Sequence, residues 1–164
     1  MSAITKTSKA LFFFLTLALV AATILGLLIT GAANPFKLVD PGAVVRWGLP
    51  ISRSITDIAM AASIGALVVA AFVFAEGSKQ LKTSMNIASI AAIIWTVAGM
   101  VQFNFVYLNV TGSAFTFQQK QGDGLWLFAT TVELGQYLAL NVLAGAIVAV
   151  LALAYQRLSA AIFV

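Results

Sequence analysis

The chain contains neither cysteine nor histidine among its 164 residues. Their absence excludes disulfides, structural zinc sites, axial haem histidines and the common nucleophile and base pairs built on these two side chains. No set of nucleophile, base and orienting residue can be assembled from what remains, so the chain is not expected to be an enzyme. Charge is also scarce. Charged residues make up 9% of the sequence against 62% hydrophobic, and the mean hydropathy is +1.04, too apolar for an ordinary water-soluble domain. Proline occurs at Pro35, Pro41 and Pro50 alone, all within one segment.

What is present in quantity is long apolar runs. A spanning helix needs about 20 apolar residues, and four runs meet this, near residues 10–32, 51–75, 84–108 and 125–155. The first exceeds the short apolar core of a signal peptide and reads as a retained transmembrane helix. The last is long enough to tilt, or to begin as an interfacial turn around Trp126. The expected fold is therefore an all-α integral membrane protein. Its four transmembrane helices form an antiparallel bundle making one domain over residues 1–164.

The proline segment reads as a turn followed by a short interfacial helix before the second span. Asp40-Pro41-Gly42 fits a helix start with Pro41 at the first helical position. The stretch Ala43 to Leu49 lies along the interface, and Pro50 redirects the chain. Gly122-Asp123-Gly124 reads as a turn. Tyr155-Gln156-Arg157 reads as another, after which an apolar stretch restarts at Ser159; this points to an N-terminal portion of a longer membrane protein.

The nine basic residues give a net charge of +4, but they are scattered over short loops and make no nucleic-acid footprint. They read as topology signals. Lys6, Lys9, Lys79, Lys82 and Arg157 fall on one side of an alternating four-helix arrangement, opposite Lys37, Arg46, Arg53 and Lys120. The first helix usually dominates orientation, which places both ends in the cytoplasm. Trp47, Tyr107 and Trp126 then gather at the external boundary, where aromatic side chains anchor helices. Trp95 sits mid-helix, and its indole N–H needs a partner there.

Intramembrane charge marks the place to look for function. An ionised side chain at bilayer depth costs about 2.5–3.5 kcal/mol on insertion scales. Arg53 and Asp57 are one helical turn apart and are expected to form a structural ion pair. Glu133 lies inside the fourth run with no basic residue one turn away, so an arginine from another helix, Arg46 or Arg53, is its expected partner. These residues make a candidate charge cluster of Arg46, Arg53, Asp57 and Glu133. Small residues at spacings of four, Ala61 with Gly65 and Asn141 with Gly145 and Ala149, mark a helix-packing face serving this chain or a partner protein. Met60, Met85 and Met100 offer soft thioethers, but not on one helix face, and read as core methionines. Phe115, Phe117, Gln118, Gln119 and Lys120 form an external loop suited to protein contact.

Asp40-Pro41-Gly42, Gly48-Leu49-Pro50, Arg53 and Asp57 before a small-residue helix, and then Glu133-Leu134-Gly135, occur in an order and spacing that resembles a known family. It is the N-terminal four-helix region of actinobacterial membrane proteins that fuse a CopD-like copper resistance module to a CtaG-like cytochrome oxidase assembly module. The resemblance covers most of the chain after residue 24. It implies copper handling in the bacterial plasma membrane and support of copper-dependent terminal oxidases. The histidine- and methionine-bearing parts that bind copper in such proteins would lie beyond Val164. No cofactor is expected to bind this chain alone.

Three functions follow as expectations. The first is a noncatalytic scaffold or docking domain of a copper-handling or oxidase-assembly protein. The second is an accessory subunit of a respiratory cytochrome bc-oxidase supercomplex, and the third is a small transporter or channel. The expected partners are the lipid bilayer and respiratory oxidase subunits, with no nucleic acid.

Overall fold

The computed structural model describes residues 14, 17–18, 21–31, 40–75, 78–115 and 121–162. Among the described residues all regular structure is helical. The elements are α1 (Ala21–Thr30), α2 (Ala43–Phe72), α3 (Lys79–Thr111), α4 (Gln121–Thr131) and α5 (Glu133–Ile162). Three of these, α2, α3 and the Glu133–Tyr155 part of α5, are long and apolar enough to cross a membrane. Of the span expected over 10–32, residues 10–13, 15–16, 19–20 and 32 lie outside the described residues; residues 21–30 form α1, where Leu27 is buried.

Residues 43–49, expected as a separate interfacial helix, are the first turns of α2. The helix starts at Ala43 and runs unbroken through Pro50, and the expectation that Pro50 redirects the chain is corrected. Without an N–H, Pro50 forfeits one backbone bond. A full break would strip partners from several more groups, which an apolar solvent makes costlier. Ser52 Oγ donates to Leu49 O, Ser54 Oγ to Pro50 O and Thr56 Oγ1 to Ser52 O, each at 2.9 Å, as second bonds to carbonyls that stay within the helical ladder; the carbonyl that the missing N–H leaves is that of Arg46. Pro41 lies before the helix and not at its first position. Asp40 makes the start instead, its Oδ1 accepting from the Gly42 N–H at 3.1 Å while Oδ2 pairs with Arg46.

α3 is the helix on which the others pack. Ser78 caps it, its Oγ accepting from the Leu81 N–H at 3.2 Å. α2 runs antiparallel along it: Gly48 faces Phe105, Ser63 Oγ donates to Ala88 O at 3.1 Å, and Ser84 Oγ donates to Ala66 O at 2.8 Å. α5 is also antiparallel to α3, meeting Gly99 with Val142 and Trp95 with Asn141, and placing Ala152 in a buried cluster with Leu81, Met85 and Ala70. The contacts of α2 and α5 are chiefly with α3 and not with each other.

The fourth expected span, 125–155, is two helices. α4 takes in Gly122, Asp123 and Gly124, read from the sequence as a turn, and a single residue, Val132, separates α4 from α5. At the junction Gly135 is pressed against the Phe128 carbonyl so closely that a Cβ would overlap it. In a straight helix residues seven apart are well separated along the axis, so the chain is sharply bent here. Gln136 Nε2 donates to Thr130 O at 2.7 Å and occupies a carbonyl that the bend frees. Phe128 then reaches α3, its ring 5.5 Å from that of Phe103 and 5.7 Å from that of Tyr107. The turn expected at 155–157 is also absent, since α5 continues to Ile162.

Candidate functional site

The side chains that face α3 from α2 are Ser52, Thr56, Ala59, Ser63 and Ala70, all buried. Their separations run four, three, four and seven, the repeat of helices that wrap closely. On α3 the buried positions Leu81, Met85, Ala88, Ala92, Trp95 and Gly99 follow the same rhythm. On the α2 side this seam is built of small and hydroxylated residues, which let α2 approach α3 closely, as expected where packing replaces the hydrophobic effect between helices. Sequence reasoning missed it on α2, although the signal was present: the Ser, Thr and Ala spacing of four and three singles out one face, whereas Ala61 and Gly65 fall on another.

The five residues expected to form helix-packing faces divide sharply. On α5, Asn141 Oδ1 accepts from Trp95 Nε1 at 2.6 Å, which supplies the indole partner expected from the sequence. Gly145 lies directly against Trp95 and Thr96, and Ala149 is buried. Any side chain at Gly145 would press into the Trp95 ring, so this close approach requires glycine. On α2, Ala61 and Gly65 are both exposed, and a Cβ at Gly65 would meet nothing within 4 Å.

The candidate charge cluster is not brought together. Among the described residues the ion pair formed is Arg46 with Asp40; Arg53, Asp57 and Glu133 are exposed and no ion pair joins them to one another or to Arg46. Two physical causes account for this. A base placed before an acid at this spacing within one helix is the weaker order. Glu133 lies on α5 and the two arginines on α2, helices whose contacts are chiefly with α3 and not with each other. Arg46 is held by Asp40 with its side chain 12% exposed, and its Nε has no hydrogen-bond partner among the described residues.

Arg53, Asp57, Ala61 and Gly65 form one ridge along α2, each a turn beyond the last, and all four are exposed. The Gly48–Phe105 and Ser63–Ala88 contacts bracket Arg53 and Asp57, setting both level with the middle of α3 around Trp95. Glu133 opens the first turn of α5, toward the Thr111 end of α3. Tyr137 follows it by one turn, 71% exposed, and Trp126 on α4 is 73% exposed.

Among the described residues no group of three or more His, Cys, Asp or Glu side chains converges. Met85 is buried with Leu81 and Ala152 while Met100 is half exposed, which leaves their thioethers in different surroundings. A shallow groove at the other end of α2 and α3, lined by Val69, Phe74, Lys79, Gln80, Thr83, Ser84 and Ile87, is mostly apolar. Of the external loop, Phe115 meets Phe105 with tilted rings 6.1 Å apart; Phe117, Gln118, Gln119 and Lys120 lie outside the described residues.

Comparison of the chain with protein-family models, with curated proteins and with solved structures gave no match. The family resemblance rests on the order and spacing of its motifs.

Proposed function

We propose that this chain is a noncatalytic membrane domain that serves as a docking or scaffold unit beside a copper-dependent terminal oxidase. It lies in the bacterial plasma membrane with both ends in the cytoplasm. The order of the Asp-Pro-Gly, Leu-Pro, Arg-x-x-x-Asp and Glu-Leu-Gly motifs supports the oxidase context. The position of Glu133 carries the docking role. It is an exposed acid at the start of an apolar helix, unpaired among the described residues, with Tyr137 a turn beyond it.

An acid in the first turn of a spanning helix is favoured by the helix N-terminus, and an exposed one is open to a cationic or hydrogen-bonding group of a partner. Exposed Tyr and Trp add rigid contact area with polar tips, the composition favoured where membrane helices meet partners or headgroups. Copper chemistry, in this reading, belongs to the partner or to other parts of the protein. Mild-detergent purification through a tag on the chain, followed by haem spectroscopy and subunit identification, tests it. The expected result is oxidase subunits and haem recovered with the tagged chain, and weakened recovery for Glu133→Gln with Tyr137→Ala. Recovery of the wild-type chain without haem or oxidase subunits overturns it.

A further inference from the structure

We propose that a second copy of this chain docks on the outward ridge of α2, with Arg53 of each copy paired to Asp57 of the other. This shares with the docking reading the premise that outward intramembrane charge marks a contact, and it rests neither on Glu133 nor on the oxidase.

Arg53 and Asp57 are exposed, unpaired within the described chain, and set level with the middle of a membrane-length helix. Each is costly against lipid. The ridge carries one cation and one anion a turn apart, about 6 Å along the axis. Two copies inserted in the same orientation are related by a two-fold axis along the membrane normal, and such an interface sets the same patch against itself. Arg53 of one copy then lies a turn from Asp57 of the other, within reach of a guanidinium, and symmetry supplies the pair twice. A different partner would need its own acid and base in matching positions; a second copy has them by construction.

The remainder of the ridge permits the approach. Ala61 and Gly65 continue the same row toward the other end of α2, and both are exposed, with open space over Gly65. Small residues at this spacing let two helix backbones come close and gain packing contacts. The face of α2 that holds α3, running through Ser52, Thr56 and Ser63, is separate, so both contacts form at once.

The chain has no cysteine, so one introduced cysteine reports one position. Ala61→Cys, expressed in the full chain and oxidised mildly in native membranes, is expected to give a covalent dimer at twice the 17.2 kDa chain mass. Val97→Cys, on an exposed position of α3, is expected to give little. In the Ala61→Cys background, Arg53→Asp and Asp57→Arg each set like charges against each other and are expected to lower cross-linking roughly tenfold. Combining the two reversals restores complementary pairs and is expected to restore the dimer, which a folding defect would not. Equal cross-linking at Val97→Cys, none at Ala61→Cys, capture of a different protein by Ala61→Cys, or a double reversal no better than the single changes would each overturn the proposal. Haem recovery is scored in the same membranes: a lost dimer with haem retained removes the self-docking proposal alone, and a dimer without haem removes the oxidase reading alone.

Discussion

Two small-residue faces of this chain look alike in sequence and have opposite fates in the structure. Gly145 and Ala149 on α5 are pressed against α3, with Asn141 bonded to the Trp95 indole. Ala61 and Gly65 on α2 face outward beneath Arg53 and Asp57. The difference lies in phase. A motif with small residues at spacings of four marks a surface that two helices can share, but the phase of that surface relative to the other faces decides whether a neighbour in the same chain reaches it. On α2 the seam through Ser52, Thr56, Ala59 and Ser63 takes the place against α3, and the Ala61 face is left for something else.

The sharpest contrast comes from enlarging one glycine on each face. Gly145→Leu drives a side chain into Trp95 and Thr96 and is expected to destabilise the chain by about 1–3 kcal/mol or more. Gly65→Leu enters open space and is expected to leave the stability of the detergent-solubilised monomer within about 0.5 kcal/mol; unfolding monitored in detergent compares the two. Similar losses at both positions would break the distinction between a filled face and an empty one.

Gly135→Ala tests the bend that brings α4 onto α3. The added methyl group collides with the Phe128 carbonyl, so the α4–α5 junction must open, with an expected cost of about 1–3 kcal/mol. Hydrogen exchange at Phe103 and Tyr107, whose rings meet Phe128, should accelerate while exchange around Ser63 is unchanged.

Smaller effects separate the hydrogen bonds of the two seams. Trp95→Phe removes the donor to Asn141, and a double-mutant cycle with Asn141→Leu is expected to give a coupling of about 0.6–1.7 kcal/mol, the range for interhelical bonds in a bilayer. Ser63→Ala should cost about 0.5 kcal/mol, at the lower end, since the Ala88 carbonyl that Ser63 reaches already lies within the helical ladder of α3. A larger loss at Ser63 than at Trp95 would place the weight of the fold on the α2 seam.

Much of the architecture was legible because bilayer thickness dictates the length of apolar runs. The second and third spans are helices near their expected places, and the Trp95 indole has the partner that its mid-helix position requires. Pairings set by three-dimensional order were not legible. Arg53 and Asp57 have the spacing of an ion pair but the weaker polarity, and the structure leaves them unpaired with each other. Glu133 was assigned to Arg46 or Arg53 on the assumption that α2 and α5 adjoin, whereas both pack on α3. The split of the last span depends on contact between Gly135 and a carbonyl seven residues earlier, for which glycine alone is a weak signal. Continuity through Pro50 was not legible because a lone proline reads as a helix boundary, whereas in an apolar solvent a full break costs more than the one bond that proline forfeits.

The central claim is that α5 spends its small residues inside the chain while α2 presents its own to a partner. Paired disulfide trapping in native membranes tests it most directly, comparing Gly65→Cys with Ala149→Cys in the otherwise cysteine-free chain. Covalent dimer from position 65 and monomer from position 149 is the predicted result. Dimer from position 149, or monomer from both, would contradict it.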